Sequence, residues 1–339
     1  MKVKQVIVFL LVLCIAGAVF AQGAQEEDDG IVRIVAISKT LDNPAFQVGE
    51  QGAVDRANEL GNVEVEWTAP SAADPVEMVE MIESYVHRGN VDGLLVNSLG
   101  PAVDSAINYA MSRGIPVVMW DSDAPNSDRL TYVGADNYEG GYEAGKLYAE
   151  AVEGQGKQYV AILTGVPGAF NLQQRSQGFL DALDDLNVDY EHVVTVAGND
   201  DLSESVEAVE STLRGNDQIN GFFFNGPWPL LVDPSNLPVM VERIENDELT
   251  VVSFDTLEDQ LRYVVDDLVI GLVGQKYYGW GYQGVTVLHE IIENDAEYPE
   301  FVNTGVDLVT KDGGPGRFSV DEFYQFWEDF SFEEEPILP

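Results

Sequence analysis

Short runs rich in β-branched and aromatic residues alternate along the chain with longer segments of helical spacing, the pattern of successive βα units. IVRIVAIS (31–38) reads as a buried strand. A helical pattern follows Asn43-Pro44 over 46–60 and stops at Gly61. VEVEWT (63–68) alternates with period two, as a strand with unlike faces does. From Pro75 to Arg88, Val76, Val79, Ile82 and Val86 share one helical face, and proline suits the first turn. Strand 93–96, helix 102–113 and strand 116–120 continue the cycle. It restarts after YVGADN (132–137) with helix 138–152, strand 158–165, helix 171–186, strand 190–197, helix 201–214 and strand 221–225. A short helix near 237–245, a strand over 249–254, helices near 256–265 and 277–292, and a last strand near 301–310 complete it.

The two halves echo each other. VDGLLVN (91–97) matches INGFFFN (219–225), with Gly93 and Gly221, like Asn97 and Asn225, 128 residues apart. IPVVMWD matches LTVVSFD, with Asp121 and Asp255 134 apart. A period this long is no solenoid. It predicts an α/β fold of two similar open parallel-sheet lobes, joined by a multi-strand hinge, with a ligand cleft between them. In such sheets ligands bind beyond the carboxyl ends of the strands. An apolar run that ends in Asn or Asp delivers a polar group to that edge, and the chain does so at Asn97, Asp121, Asn225 and Asp255. Each alone could be a turn former; four in matched pairs point to one site for a small polar ligand. Alternation turns Trp120 away from Asp121 and into the core.

Composition narrows the classes. Seventeen basic against 59 acidic residues leave a net charge of −42, which repels nucleic acid and anionic membrane surfaces. With 45% hydrophobic and 10% aromatic residues the chain is a packed protein, not a disordered acidic one. Only seven lysines occur, and the self-repulsion suggests a high-salt habitat, where screening is short-ranged. Lys2 and Lys4, the apolar run Val6 to Phe20 and the small residues Ala18 and Ala21 have the layout of a secretory signal over 1–21. The run is shorter than the roughly 20 residues of a spanning helix. Cys14, the only cysteine, offers lipid attachment as an alternative, against which stand Leu13 before it and the apolar residues after it. An exported protein is expected.

No complete phosphate loop, GxSxG or HExxH occurs. His87, His192 and His289 are far apart, and DSDAPNSD (121–128) lacks the glycine and closing glutamate of a calcium loop, so it reads as a solvated hinge-side loop. No catalytic residue, metal site or cofactor is expected.

TLDNPAF after the first strand, RGNVDGLLVN, GIPVVMWDSD, YVGADNYEGGYEAGK, FNLQQRSQGF, VVSFD and GLVGQK stand in one order and spacing. From about residue 31 to 311 the chain thereby resembles the periplasmic sugar-binding proteins of the ribose-binding type, which serve ATP-driven importers. The resemblance implies that Asn43 and Phe46 contact a sugar by hydrogen bonding and stacking, although Asn43-Pro44 also reads as a helix cap. It gives Asp121 and Asp255 the hydroxyls, Arg175 and Asn171 one shared helix face toward the ligand, and Gln275 a hinge-side contact. Asn225 matches less well because NGPWP departs from the usual ending, and Trp228 is the alternative packing surface. Ala45 stands where an aromatic is common, and Ser122 where ribose binders carry arginine, which argues against ribose.

The expected lobes are 31–136 with 276–302, and 137–275 with 303–311. Expected partners are a small neutral sugar and the membrane permease of an ABC importer, with a sensor ectodomain as the alternative; the protein is expected to be a monomer. An extension over 312–339 begins with DGGPGRF, read as a loop. Apolar residues at 320, 323, 324, 326, 327 and 330 then predict a helix packed on a lobe, and EEEPILP is expected to be mobile.

Overall fold

The computed structural model describes residues 29–329. The expected signal segment, Cys14 and the EEEPILP tail lie outside the described residues. Strand β1 (Val32–Ile37) leads to helix α1 (Pro44–Leu60), β2 (Val63–Thr68), α2 (Pro75–Arg88), β3 (Gly93–Val96), α3 (Asp104–Ser112), β4 (Val117–Trp120) and β5 (Thr131–Gly134). Asn43 and Asp74 cap α1 and α2 through their side chains, each just before a proline in the first turn, and Gly61 and Gly89 end those helices in the left-handed region.

Then follow α4 (Asn137–Ala151), β6 (Gln158–Thr164), α5 (Phe170–Asp185), β7 (Tyr190–Ala197), α6 (Leu202–Gly215), β8 (Gly221–Phe224), α7 (Pro238–Glu245), β9 (Thr250–Phe254), α8 (Glu258–Val265) and β10 (Leu272–Gln275). The chain closes with α9 (Tyr277–Asn294), β11 (Phe301–Asn303), β12 (Val306–Thr310), β13 (Asp312–Gly314), β14 (Arg317–Ser319) and α10 (Val320–Asp329).

Two sheets result. The first has the order β2–β1–β3–β4–β5–β11 and is parallel throughout. The second has the order β7–β6–β8–β9–β10–β12–β14–β13; it is parallel as far as β10, which β12 then meets antiparallel. Central strands β3, β4 and β8 are buried along their whole length, which explains their unbroken apolar runs. The chain passes between the sheets three times: after β5, after β10, and between β11 and β12. Those three crossings form the multi-strand hinge.

Several elements differ from expectation. The strand read over 301–310 is two strands, parted at Thr304-Gly305, where Gly305 has φ 82°; that turn sends β11 and β12 to different sheets. β5 and β10 were not anticipated, because TYVG and LVGQ lack the unbroken apolar run of β3 and β4. DGGPGRF is no plain loop: it supplies β13 and β14, an antiparallel hairpin on the edge of the second sheet. The loop after β4 is not solvated at its start, because Asp121, Ser122, Asp123 and Ala124 are all buried. Arg129 neutralises Asp123 by a bidentate pair, both bonds 2.8 Å.

Candidate ligand-binding site

Strand ends from both sheets converge on one gap. It is lined by Lys39, Asn43, Ala45 and Phe46 after β1, Asp121 after β4, Asn171, Leu172 and Arg175 on α5, Asp200 after β7, Pro227 and Trp228 after β8, Asp255 after β9, Gln275 on β10 and Trp280 on α9. The cavity itself is only about 30 Å³, room for about one water molecule, so a ring-sized ligand requires the two sides to part.

Arg175 is the centre of the arrangement. Helix α5 lies against α4 at backbone distance: a Cβ on Gly141 would collide with Arg175 O, and one on Gly178 with Tyr138 O. The Arg175 guanidinium donates from Nε to Asn137 Oδ1 (2.8 Å) and from Nη1 to Asn225 O (3.0 Å). Its Cζ lies 3.9 Å from the centroid of the Phe254 ring, so packing as well as bonding holds it. Nη2 stands 3.8 Å from Asp121 Oδ1 and Nη1 4.0 Å from Asp255 Oδ2.

Each aspartate has its own support. Asn97 Nδ2 donates to Asp121 Oδ2 at 3.0 Å, and Lys39 Nζ is 3.6 Å from the same oxygen. Gln275 Nε2 donates to Asp255 Oδ1 at 2.8 Å, and Tyr277 OH is 3.3 Å from it. Burial holds the Asp255 carboxyl above its usual range, opposed by the Arg175 charge and the Gln275 bond. Burial likewise raises Asp200, against the pull of Lys39. Across the gap, Ser122 Oγ donates to Asn171 Oδ1 at 3.1 Å and links the two sides directly.

Of the ten residues singled out from sequence, Asn43, Phe46, Asp121, Asn171, Arg175, Trp228, Asp255 and Gln275 line the gap. Asn97 and Asn225 do not. Both are fully buried one bond back, Asn97 behind Asp121 and Asn225 beneath Arg175, where Asn225 Nδ2 also reaches Ser176 Oγ and Leu172 O. Asn43 also caps α1 through its side chain. Trp120 sits in the core against Phe46, Trp67 and Trp280. Sequence reasoning missed Lys39 and Asp200. The missed signal for both charges is position: each follows the carboxyl end of a strand within three residues.

The lining is left with unmet hydrogen bonds. Arg175 Nη2, Gln275 Oε1 and Trp280 Nε1 are buried without a hydrogen-bond partner. Buried polar atoms are rarely left so, and here two donors and an acceptor meet at one space. Among the described residues no group of His, Cys, Asp and Glu is arranged to hold a metal ion, and no helix is long and apolar enough to cross a membrane.

Residues 34–296 match the family model described as the periplasmic binding protein domain. The chain belongs to that family. This periplasmic binding protein is 26% identical over 259 residues to the ribose import binding protein RbsB of Haemophilus influenzae, covering 76% of this chain and 84% of the relative. Among solved structures it resembles an ABC transporter solute-binding protein from Burkholderia graminis, determined in complex with D-arabinose. That match has a TM-score of 0.76 and 31% identity over 84% of this chain and 97% of the other. It also resembles XylFII in a XylFII–LytSN complex, with a TM-score of 0.73 and 27% identity over 83% and 98% of the two chains.

Proposed function

We propose that this periplasmic binding protein takes up a small neutral sugar between its two lobes and delivers it to an ABC importer. The lobes are residues 31–136 with 276–302, and 137–275 with 303–311; the three crossings let one close on the other about the ligand. The observation that carries the reading is Arg175 between Asp121 and Asp255, beside buried donors and an acceptor with no hydrogen-bond partner. Sugar hydroxyls both donate and accept, so one polyol can meet carboxylates, guanidinium and amide together. Phe46, Trp228 and Trp280 offer ring surfaces for its C–H faces. The ten residues named from sequence divide accordingly: eight contact the sugar, while Asn97 and Asn225 position Asp121 and Arg175. The relatives' names support a sugar as cargo and an importer as destination.

Export follows the signal-like layout of residues 1–21, with cleavage near Ala21. A thermal-shift screen of pentoses, hexoses and polyols on the processed protein tests the reading. A true ligand adds RT ln(1 + [L]/Kd) to the stability and so raises the melting temperature with its concentration; a flat response to every sugar, repeated by calorimetry, would overturn it.

A second reading has one observation in its favour, the likeness to XylFII, which is solved with a second protein, LytSN. In that reading the sugar-loaded form engages a sensor ectodomain. Sugar-dependent stimulation of a reconstituted permease ATPase separates delivery from signalling.

A further inference from the structure

The second lobe's wall of the gap carries a third carboxylate that the strand-end pattern did not reveal. Asp200 stands between β7 and α6, and both Asn199 and Asp200 have positive φ, 52° and 58°. Consecutive left-handed residues other than glycine are costly and persist where surroundings hold them. Here Asp200 Oδ1 accepts the Val166 N–H at 2.9 Å, which pins the carboxyl over the end of β6. Gly165 leaves the room for it: a Cβ there would collide with Asp200 Oδ1, and its next neighbours would be Trp228 ring carbons. The carboxylate and the indole therefore lie side by side over the same glycine, both facing the gap. A sugar ring laid on an indole turns its hydroxyls outward from the ring edge, toward an acceptor placed where Asp200 is.

Charge adds to the geometry. The lining holds two cations, Lys39 and Arg175, against three carboxylates, Asp121, Asp200 and Asp255. Burial raises Asp200 and Asp255, and the Asp121 charge acts in the same direction on both. A ligand carrying its own carboxylate or phosphate would bring a fourth anion into this set. A hydroxyl donates to Asp200 without adding charge, and an ammonium would offset it.

We infer that Asp200 is a specificity-determining residue of the site: it accepts a hydroxyl or ammonium hydrogen of the ligand beside Trp228 and turns away sugar acids and sugar phosphates. This rests on the sugar-binding reading above. The test is isothermal titration of wild type, Asp200→Asn and Asp200→Ala with D-ribose, D-arabinose, D-xylose, D-galactose, D-glucosamine, D-galacturonate and D-ribose 5-phosphate. Wild type is expected to bind at least one uncharged sugar and to stay unsaturated by the two acids at millimolar concentration. Asp200→Ala should bind that uncharged sugar at least tenfold more weakly. Asp200→Asn keeps an acceptor and tolerates the left-handed backbone, so it should stay within a few fold for the uncharged sugar while its preference over the acids falls at least tenfold. The asparagine variant carries the test should the alanine variant fold poorly. Unchanged affinity and unchanged preference in Asp200→Asn overturn the role given to Asp200 and leave sugar binding standing. Failure of every uncharged sugar on wild type overturns both.

Discussion

Asp121 and Asp255 lie 134 positions apart in the chain and end strands of different sheets, yet their carboxylates approach one guanidinium, 3.8 Å and 4.0 Å from the two Nη atoms of Arg175. Both also have positive φ, 53° and 70°. The internal repeat of the sequence is thus matched in backbone conformation at the two points where it meets the gap.

Asp121→Asn is expected to lower sugar affinity about 10- to 100-fold, the loss of one or two hydrogen bonds to a charged group. Its fold should be nearly unchanged, since asparagine tolerates the left-handed backbone. Asp121→Ala adds a backbone penalty of about 1–2 kcal/mol. Titration calorimetry and urea unfolding read the two effects separately, and wild-type affinity in the asparagine variant would remove Asp121 from the site.

Removing Arg175 leaves two buried carboxylates facing each other. Arg175→Ala should destabilise the protein by about 3 kcal/mol or more and abolish binding. Arg175→Lys should not rescue binding, because an ammonium cannot donate at once to Asn137 and Asn225 O and still face both aspartates. Adding Asp255→Asn to Arg175→Ala should recover part of the lost stability, a coupling that a double-mutant cycle measures.

The raised Asp255 carboxyl sets a pH dependence. Its folded-state value lies above its unfolded one, so the folded protein holds the proton more tightly between the two. Its contribution to stability is greatest below the ordinary aspartate range and is lost as pH rises through the raised value. Asp255→Asn should therefore raise the ligand-free melting temperature at neutral pH and flatten its fall from acid pH, while losing the sugar-induced rise. A variant that melts lower than wild type at pH 7 would contradict this.

The C-terminal helix contributes directly to the fold around the site. In α10, Phe323 is fully buried in the core of the second lobe, and Phe326 and Trp327 pack on that core and on the cluster that includes Leu257. Trp327 Nε1 donates to Thr256 O at 2.9 Å, one residue past Asp255. Phe323→Ala should cost about 3–5 kcal/mol. Trp327→Ala should cost less stability but shift sugar affinity, because it frees the segment that carries Asp255.

Salt should stabilise the protein. A net charge of −42 on one chain is self-repulsion that ions screen. The melting temperature is expected to climb between 0.1 and about 1 M KCl, and a constant value would set aside the high-salt habitat.

Much of the site was legible because a buried parallel strand is an unbroken apolar run, so its end is marked by the first polar residue. VVMWD and VVSFD announce Asp121 and Asp255 in this way. The same rule also marks Asn97 and Asn225, whose strands end just as clearly but whose amide nitrogens donate behind the gap, to Asp121 and to Leu172 O and Ser176 Oγ; a strand end shows where a side chain starts, not what it meets. Lys39 and Asp200 escaped because a lysine after IVAIS and an aspartate in GNDD read as ordinary solvent residues. Lys39 is buried beside Asp121 and Asp200 is half-buried over Gly165, held by the Val166 N–H, contacts no local pattern encodes. Among the elements, β5 (TYVG) and β10 (LVGQ) were invisible because glycine and polar residues break the apolar run that marks β3, β4 and β8. β11 and β12 merged because two strands of different sheets joined by a two-residue turn leave one continuous pattern.

The left-handed backbone at Asp121 and Asp255 restricts how this protein could be retuned. Few side chains other than Asp, Asn or Gly sit comfortably at those two angles, so exchanging them offers a very small alphabet. New cargo preferences, whether arising in nature or engineered, must come instead from the Asp–Asn choice at Asp200 and from the segments around Lys39, Ala45 and Trp228, where no residue has a positive φ. Asp121 and Asp255 form the constant part of the lock, and those segments are where a different key can be cut.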